Sequence, residues 1–365
     1  VTISATVFDD LQHLLRNDAE IEDFLAQRAG AVALDSEFHR ERSFHPRLAL
    51  VQLRCGEETI LVDALALPRS QALRDLFADP RREKIMHAPG EDLETFAHAL
   101  HALPEPLFDT QLAAAFAGLG FAIGYAALVQ RLIGVEVAKD QTRSDWLRRP
   151  LSPAQLRYAA EDVRHLPQIA DRLRETLARL GRFPWLEEEC GRLLAAARGE
   201  QPASPPHHDF PALAFEPEAV QRRLLRILLW REHSARERDL PRRWLLSDES
   251  CERIARSPPQ RPEALLASLG GRERLDRSGA EALLDALSRE SEDEEPFRPI
   301  PRPLEGAARE RLRRLSTAVA AVAARHGLPT PLLAPRRWLE AHVRGQTPPP
   351  LRSGWRAELL AKLLD

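Results

Sequence analysis

The stretch that most constrains this chain is Ala31-Val32-Ala33-Leu34-Asp35-Ser36-Glu37-Phe38. Val32 and Leu34 are apolar and β-favouring residues flank them, so the segment predicts a central strand rather than a helix. Side chains alternate across a strand, which puts Asp35 and Glu37 on one face, about 7 Å apart along the backbone. Two acids at the end of an apolar strand are costly unless something positive sits between them. A hard divalent cation suits that place. A D-x-E tripeptide also occurs as a solvated edge or a strand-end cap, so its meaning depends on what the rest of the chain supplies.

The surrounding pattern predicts a mixed α/β domain. A short strand and a helix occupy Ala5 to about Arg28, and Leu48–Leu53 and Thr59–Asp63 read as two strands joined by a turn around Gly56, antiparallel neighbours of the first. A short helix covers Leu73–Phe77. Lys84–His87 is a buried-type strand leading into a helix over Asp92–His98, and Leu107–Asp109 is a last short strand with Asp109 as N-cap of the next helix. Helical spacing then dominates, over Tyr125–Ile133 and Pro153–Leu180 among others. The expectation is a sheet of about five or six strands, closed by helices near residue 195.

Beyond it lie two boundaries. Ala196–Asp209 is polar and Pro-rich, and Glu290–Pro296 holds five acids in seven residues. After the first boundary the chain repeats itself with a period of 88: Leu240-Pro241, Trp244-Leu245 and Arg256 correspond to Leu328-Pro329, Leu332-Leu333 and Arg344. Each set follows an amphipathic helix, Val220–Arg236 in one and Arg309–His326 in the other. The sequence therefore predicts three domains: residues 1–200, and two small all-α modules at 210–290 and 297–365.

Net charge is −3, which by itself does not suggest a nucleic-acid binder, but the distribution is uneven. Residues 297–365 carry 13 Arg and Lys against 5 Asp and Glu, leaving −11 for residues 1–296. Gln221–Leu245 adds eight arginines against three acids. These faces predict either solvated surface or phosphate contact. Cys55, Cys190 and Cys251 are widely spaced and odd in number, which suggests neither a disulfide framework nor a zinc site. The expected setting is cytoplasmic and soluble, with no membrane segment. The absence of heptads predicts a monomer.

Further acids join the first pair. In His87-Ala88-Pro89-Gly90-Glu91-Asp92-Leu93, Asp92 lies in the first turn of a helix directly after a buried strand. Such an acid can simply favour the helix dipole, or it can be aimed at the end of the sheet. Ser152-Pro153 opens a helix carrying Tyr158 and Asp162, four apart and so on one face. Together Asp35, Glu37, Asp92 and Asp162 propose two-metal phosphoryl transfer, with Mg²⁺ or Mn²⁺ held about 3.5–4 Å apart. Tyr158 would orient the attacking water. His87 reads as a buried, hydrogen-bonded histidine, because hard metals prefer oxygen.

At this point the residues resemble a known family. Ala33–Phe38 followed by Pro46–Leu53, then His87–Leu93, Phe108-Asp109-Thr110-Gln111, Ser144-Asp145-Trp146-Leu147, Arg149-Pro150-Leu151 and Tyr158–Val163 are similar to the motifs of the ribonuclease D family, within the 3′→5′ exonuclease superfamily with four acids and a tyrosine. The two C-terminal repeats resemble its paired HRDC modules. The resemblance implies a ribonuclease-H-like sheet followed by two HRDC domains, with Asp35, Glu37, Asp92 and Asp162 as ligands of two divalent cations and Tyr158 as the water-orienting residue. It implies removal of 5′-mononucleotides from RNA 3′ ends, chiefly of tRNA precursors. Phe38, Arg143 and Ser144 are candidate substrate contacts, with Phe38 equally readable as core. A DNA 3′→5′ exonuclease and a catalytically silent RNA-binding scaffold are the alternatives.

Overall fold

A computed structural model describes residues 14–137, 144–200, 204–271, 273–289 and 297–364. Contacts divide the chain into two compact units, neither of them continuous in sequence. One comprises residues 1–39, 47–200 and 304–365, the other residues 40–46 and 201–303.

The first unit is built on a six-stranded mixed sheet among the described residues. Its strands are β1 (Leu14–Leu15), β2 (Val32–His39), β3 (Arg47–Cys55), β4 (Glu58–Asp63), β5 (Lys84–Met86) and β6 (Leu107–Asp109), in the order β1-β4-β3-β2-β5-β6. β2, β3 and β4 form the expected antiparallel meander, with Gly56 at φ +58° in the turn between β3 and β4. β5 and β6 then add parallel to β2. The central position of β2 explains its composition: Val32, Ala33 and Leu34 are wholly buried, and only its far end carries polar groups.

Helices cover both faces. α1 (Asp18–Ala26), α2 (Gln71–Ala78), α3 (Gly90–Ala99), α4 (Thr110–Phe116), α5 (Tyr125–Ile133), α6 (Pro153–Arg164), α7 (Leu166–Leu180) and α8 (Phe183–Ala197) follow the strands in chain order. Helical spacing over Pro153–Leu180 predicts one helix, and the structure has two. Pro167 has no amide hydrogen to continue the ladder, so the chain breaks at His165 and the two pieces turn independently. Among the described residues no helix is long and apolar enough to cross a membrane.

The second unit packs α9 (Glu218–Glu237), α10 (Arg242–Leu245), α11 (Asp248–Arg256), α12 (Pro262–Ser268) and α13 (Arg277–Ser288) around Leu224, Leu228, Ile254, Leu265 and Leu283. The β2–β3 loop belongs to it. Phe44 packs with Ala235 and Leu245, and Asp239 Oδ1 accepts the backbone N–H groups of Phe44 and His45 at 3.0 and 3.2 Å.

Back in the first unit, α14 (Gly306–Arg325), α15 (Thr330–Leu333), α16 (Arg336–Val343) and α17 (Gly354–Leu364) share a core with the sheet helices. The 88-residue period reappears as structure. Helices begin at Glu218, Arg242 and Asp248, and again at Gly306, Thr330 and Arg336. The correspondence ends there, because Pro348-Pro349-Pro350 leaves only a 3₁₀ turn, Pro349–Leu351, near where α12 stands in the first repeat.

Candidate active site

The end of β2 gathers the acids. Asp35 and Glu37 lie on the face covered by α6, opposite Gln52 and Leu50 of β3. Between Glu37 and Phe38 the register shifts: Glu37 faces Leu50 while Phe38 faces Leu48, so Ala49 is an extra residue in β3. Its carbonyl is not wasted. Arg149 Nη2 donates to Ala49 O at 2.8 Å, and the same guanidinium grips Asp63 through Nε at 3.0 Å and Nη2 at 2.6 Å. Burial pushes the Asp63 carboxyl up, but this fork and Arg16 outweigh it and hold Asp63 below the usual range. Arg149 thereby fixes the segment that enters α6.

α6 itself starts cleanly. Ser152 Oγ accepts the Gln155 N–H at 3.2 Å, and Gln155 Oε1 accepts the Ser152 N–H at 3.0 Å, a capping box with proline at the first helical position. Tyr158 and Asp162 follow one turn apart, joined by a hydrogen bond from the phenol to the carboxylate. Ala159 between them is fully buried against Leu50 and Leu61, so the helix lies close on the sheet. The far end of α6 is pinned by Tyr125, whose hydroxyl donates to Glu161 O at 2.9 Å and accepts the His165 N–H at 3.1 Å.

Asp92 comes from the other face of the sheet. Its turn is held by a buried clamp: Asp109 Oδ1 accepts the Gln111 and Ala88 N–H groups at 2.8 and 3.1 Å, so the expected N-cap of α4 also anchors the loop before α3. Ala88 sits there at φ +55°, a conformation that costs a non-glycine residue about 1–2 kcal/mol. Ser36, the residue between the two strand acids, points away from them and donates from Oγ to Asp92 Oδ1 at 2.5 Å. His87 is a buried histidine as expected, with Nδ1 2.9 Å from Thr110 Oγ1 and Nε2 3.0 Å from Ile123 O. Burial lowers it to about 4, so it is neutral near pH 7.

The electrostatics are those of a site built for positive charge. Burial first, then Asp92, Asp162 and Glu37, raise Asp35 well above the carboxylate range. Burial, Asp162 and Asp92 raise Glu37 to about 9. Burial likewise raises Asp92 to about 6 and Asp162 to about 7, against the hydrogen bonds from Ser36 and Tyr158 respectively. The side chains share a neighbourhood without forming a closed shell: among the described residues no three acid, imidazole or thiol groups are spaced as a ready metal-binding set. The donors nevertheless fit hard cations, being all oxygen, acidic and mutually repelling.

Of the substrate contacts suggested by sequence, Phe38 is half-buried at the end of β2 and Ser144 is half-buried ahead of Trp146. Arg143 lies outside the described residues. Ser36, Gln52, Tyr125 and the Arg149–Asp63 pair were not singled out by sequence. Ser36 carried a signal in its position between two acids, whereas Arg149 and Asp63 meet only through the fold.

Comparison with known proteins places this geometry. The 3′-5′ exonuclease family matches residues 12–178 and the HRDC domain family residues 220–287. A ribonuclease D from Xanthomonas oryzae is 42% identical over 351 residues, 96% of each chain. That of Escherichia coli is 34% identical, covering 92% of each. The crystal structure of E. coli RNase D, described as an exoribonuclease involved in structured RNA processing, superposes with a TM-score of 0.84 at 30% identity over 96% of each chain. With an acid-lined sheet end, matches to an exonuclease domain and an HRDC domain, and ribonuclease D relatives matched over up to 96% of its length, the chain belongs to the ribonuclease D family of 3′→5′ exoribonucleases.

Proposed function

We propose that Asp35, Glu37, Asp92 and Asp162 hold two divalent cations, Mg²⁺ or Mn²⁺, with Asp35 shared between them. Divalent-metal dependence is a property of this exonuclease superfamily; the number of ions and the ligand set are our reading. The observation that carries it is the convergence on Asp35 of three other carboxylates under burial, an arrangement that like charges oppose unless a cation joins them. When bound, the ions would activate a water and stabilise the departing 3′ oxygen. Tyr158, already turned toward Asp162, would hold that water in line with the scissile phosphate. Ser36 fixes the Asp92 carboxylate, Arg149 fixes the approach to α6, and neutral His87 braces the Asp92 turn. On the same reading Phe38, Arg143 and Ser144 would meet the terminal nucleotide.

The RNA 3′ end is the substrate we infer, tRNA precursors its natural source, and a cytoplasmic monomer the working form. Residues 1–200 carry the chemistry, residues 210–290 form the HRDC module, and residues 297–365 form a second, HRDC-like module. The matched helix starts at an 88-residue offset support that last assignment. Both modules offer arginine-bearing surface to RNA. In the first, arginines such as Arg231, Arg256 and Arg223 are bound to Asp248, Glu216 and Ala255 O. In the second, a groove of about 790 Å³ between α14 and α16 is lined by Arg309, by Arg313 and Arg336, which pair with Glu310 and Glu340, and by Ser316 and Thr317. Those residues on α14 recur every three to four positions along one face, as a phosphate backbone would need.

The test is release of labelled nucleotides from a 3′-tailed tRNA-like RNA in Mg²⁺, Mn²⁺ or chelator. Stepwise 5′-monophosphate release that chelator abolishes is expected. Asp35→Asn should lose hydrolysis by at least a thousandfold while binding RNA in chelator with unchanged affinity. Metal-independent cleavage, or endonucleolytic fragments, would overturn the assignment.

A further inference from the structure

Gln52 stands directly opposite Asp35 in the β2–β3 register. Directly opposed residues of an antiparallel pair share a face, with Cβ atoms about 4.5–5.5 Å apart. The Gln52 side chain is therefore on the acid side of the sheet, alongside Leu50 and beneath α6. It is wholly buried. Neither its Nε2 nor its Oε1 has a hydrogen-bond partner among the described residues. Its backbone neighbour across β4 is Leu61, which packs with Leu50 and Ala159, so that side offers the amide only hydrocarbon.

A buried amide left wholly unpaired costs about 1–3 kcal/mol for each group. A leucine in the same place would avoid that cost and extend the apolar patch. We infer that Gln52 is a positioning residue for Asp35, and that its amide finds its partner when a divalent cation is bound. The amide hydrogen of Nε2 then donates to a lone pair of the Asp35 carboxylate that the ion leaves free. The geometry permits this, because an amide and a carboxylate projecting side by side from paired Cβ atoms can touch with no backbone movement. The chemistry favours it too. A ligating carboxylate that accepts a hydrogen bond is fixed in rotation, and such supporting partners are worth about 10–100-fold in metal affinity. The inference rests on the reading of the four acids given above and names the group that supports the shared ligand.

The test uses the full chain and Mn²⁺ as the probe, with affinity read by calorimetry or by the electron paramagnetic resonance of free Mn²⁺. Gln52→Leu, and Gln52→Met as a second variant of similar length, should leave the chelated protein at least as stable as the unaltered one, with Tm equal or higher. The same variants should bind Mn²⁺ about 10–100-fold more weakly. At saturating Mn²⁺ kcat should recover to within a few-fold, so the loss appears as a shift in the metal concentration for half activity. Opposite signs for stability and metal affinity are the signature of positioning. If Tm of the chelated variants falls, the amide is structural in the metal-free protein and the inference is wrong. It is equally wrong if Mn²⁺ affinity is unchanged. No Mn²⁺ binding by the unaltered chain would sink the reading of the four acids and this inference with it, an outcome visible before any Gln52 variant is made.

Discussion

At the scale of single residues, the acids at the end of β2 tie stability to pH in an unusual direction. Glu37, Asp92 and Asp162 are raised to about 9, 6 and 7, first by burial in each case. The folded protein therefore holds these protons more tightly than the unfolded chain does. Their contribution to stability is complete below the ordinary carboxylate range and is lost as pH rises through 6 to 9. In chelator, Tm should fall by several degrees between about pH 5 and pH 9, and Asp162→Asn should flatten that slope. Added Mg²⁺ or Mn²⁺ should restore Tm most strongly at the alkaline end, where the carboxylates are free to bind. A scan of Tm against pH with and without metal would show this, and a chelated protein that gains stability as pH rises would contradict it. Tyr158→Phe should reduce kcat by about 10²–10⁴-fold with little change in metal affinity, measured by single-turnover release of the terminal nucleotide. The four candidate acids and the tyrosine drew notice in the sequence through local signals: a spacing of two along a strand, a spacing of four along a helix, and a place at a helix start. Gln52 was visible only as one polar letter in an apolar strand, and its place opposite Asp35 depends on where the turn at Gly56 sets the register.

At the scale of elements, the site depends on how α6 is introduced. The local signals were clear: Ser152-Pro153 marks its first turn, and Asp109 marks α4 in the same way. What no local signal discloses is that Arg149 reaches back 86 positions to Asp63 and to the carbonyl of the extra residue in β3. Asp63 is 3% exposed, so removing Arg149 leaves a buried carboxylate with only the more exposed Arg16, 3.3 Å away, beside it. Arg149→Ala should cost about 3–5 kcal/mol in urea unfolding. It should also lower kcat/KM on short oligonucleotides, since the helix bearing Tyr158 and Asp162 loses its tether. Arg149→Lys restores charge but not the fork, so it should recover only part of both. Equal stability of Arg149→Ala and the unaltered chain would show that α6 is placed by its apolar face alone. The break at His165 is the complementary lesson. Helical spacing runs through it, and the missing amide of Pro167 ends α6 just beyond Asp162.

At the scale of the whole molecule, the helices after residue 304 are part of the first unit's core. Trp355 is 2% exposed, stacks on Trp185 with ring centres 5.1 Å apart, and meets Phe116 edge-on at 5.2 Å. Beside it Arg356 Nη2 pairs with Glu189 Oε2 at 2.9 Å, and its Nε and Nη2 donate to the carbonyls of Leu333 and Leu332 at 3.1 and 2.9 Å. Trp355→Ala should cost about 3–5 kcal/mol, read as a shift in the urea midpoint of the near-UV signal. A chain cut after residue 200 should expose Trp185 and Phe116 and be recovered mainly as aggregate, whereas the full chain is not. Sequence showed that two helical repeats follow the sheet domain and where each begins. It did not show that the second shares a core with α8, because the apolar stripe of α14 looks the same whether its partner is near in sequence or far.

That discontinuity sets a timetable for synthesis. Chains generally fold from the N-terminus as they emerge, each domain closing before the next is made. Here the unit that carries the candidate site is begun first and closed last. Its surface around Trp185 waits uncovered while about a hundred residues of the other unit are translated, until Trp355 leaves the ribosome. A message broken anywhere in that interval yields a nuclease that never becomes whole.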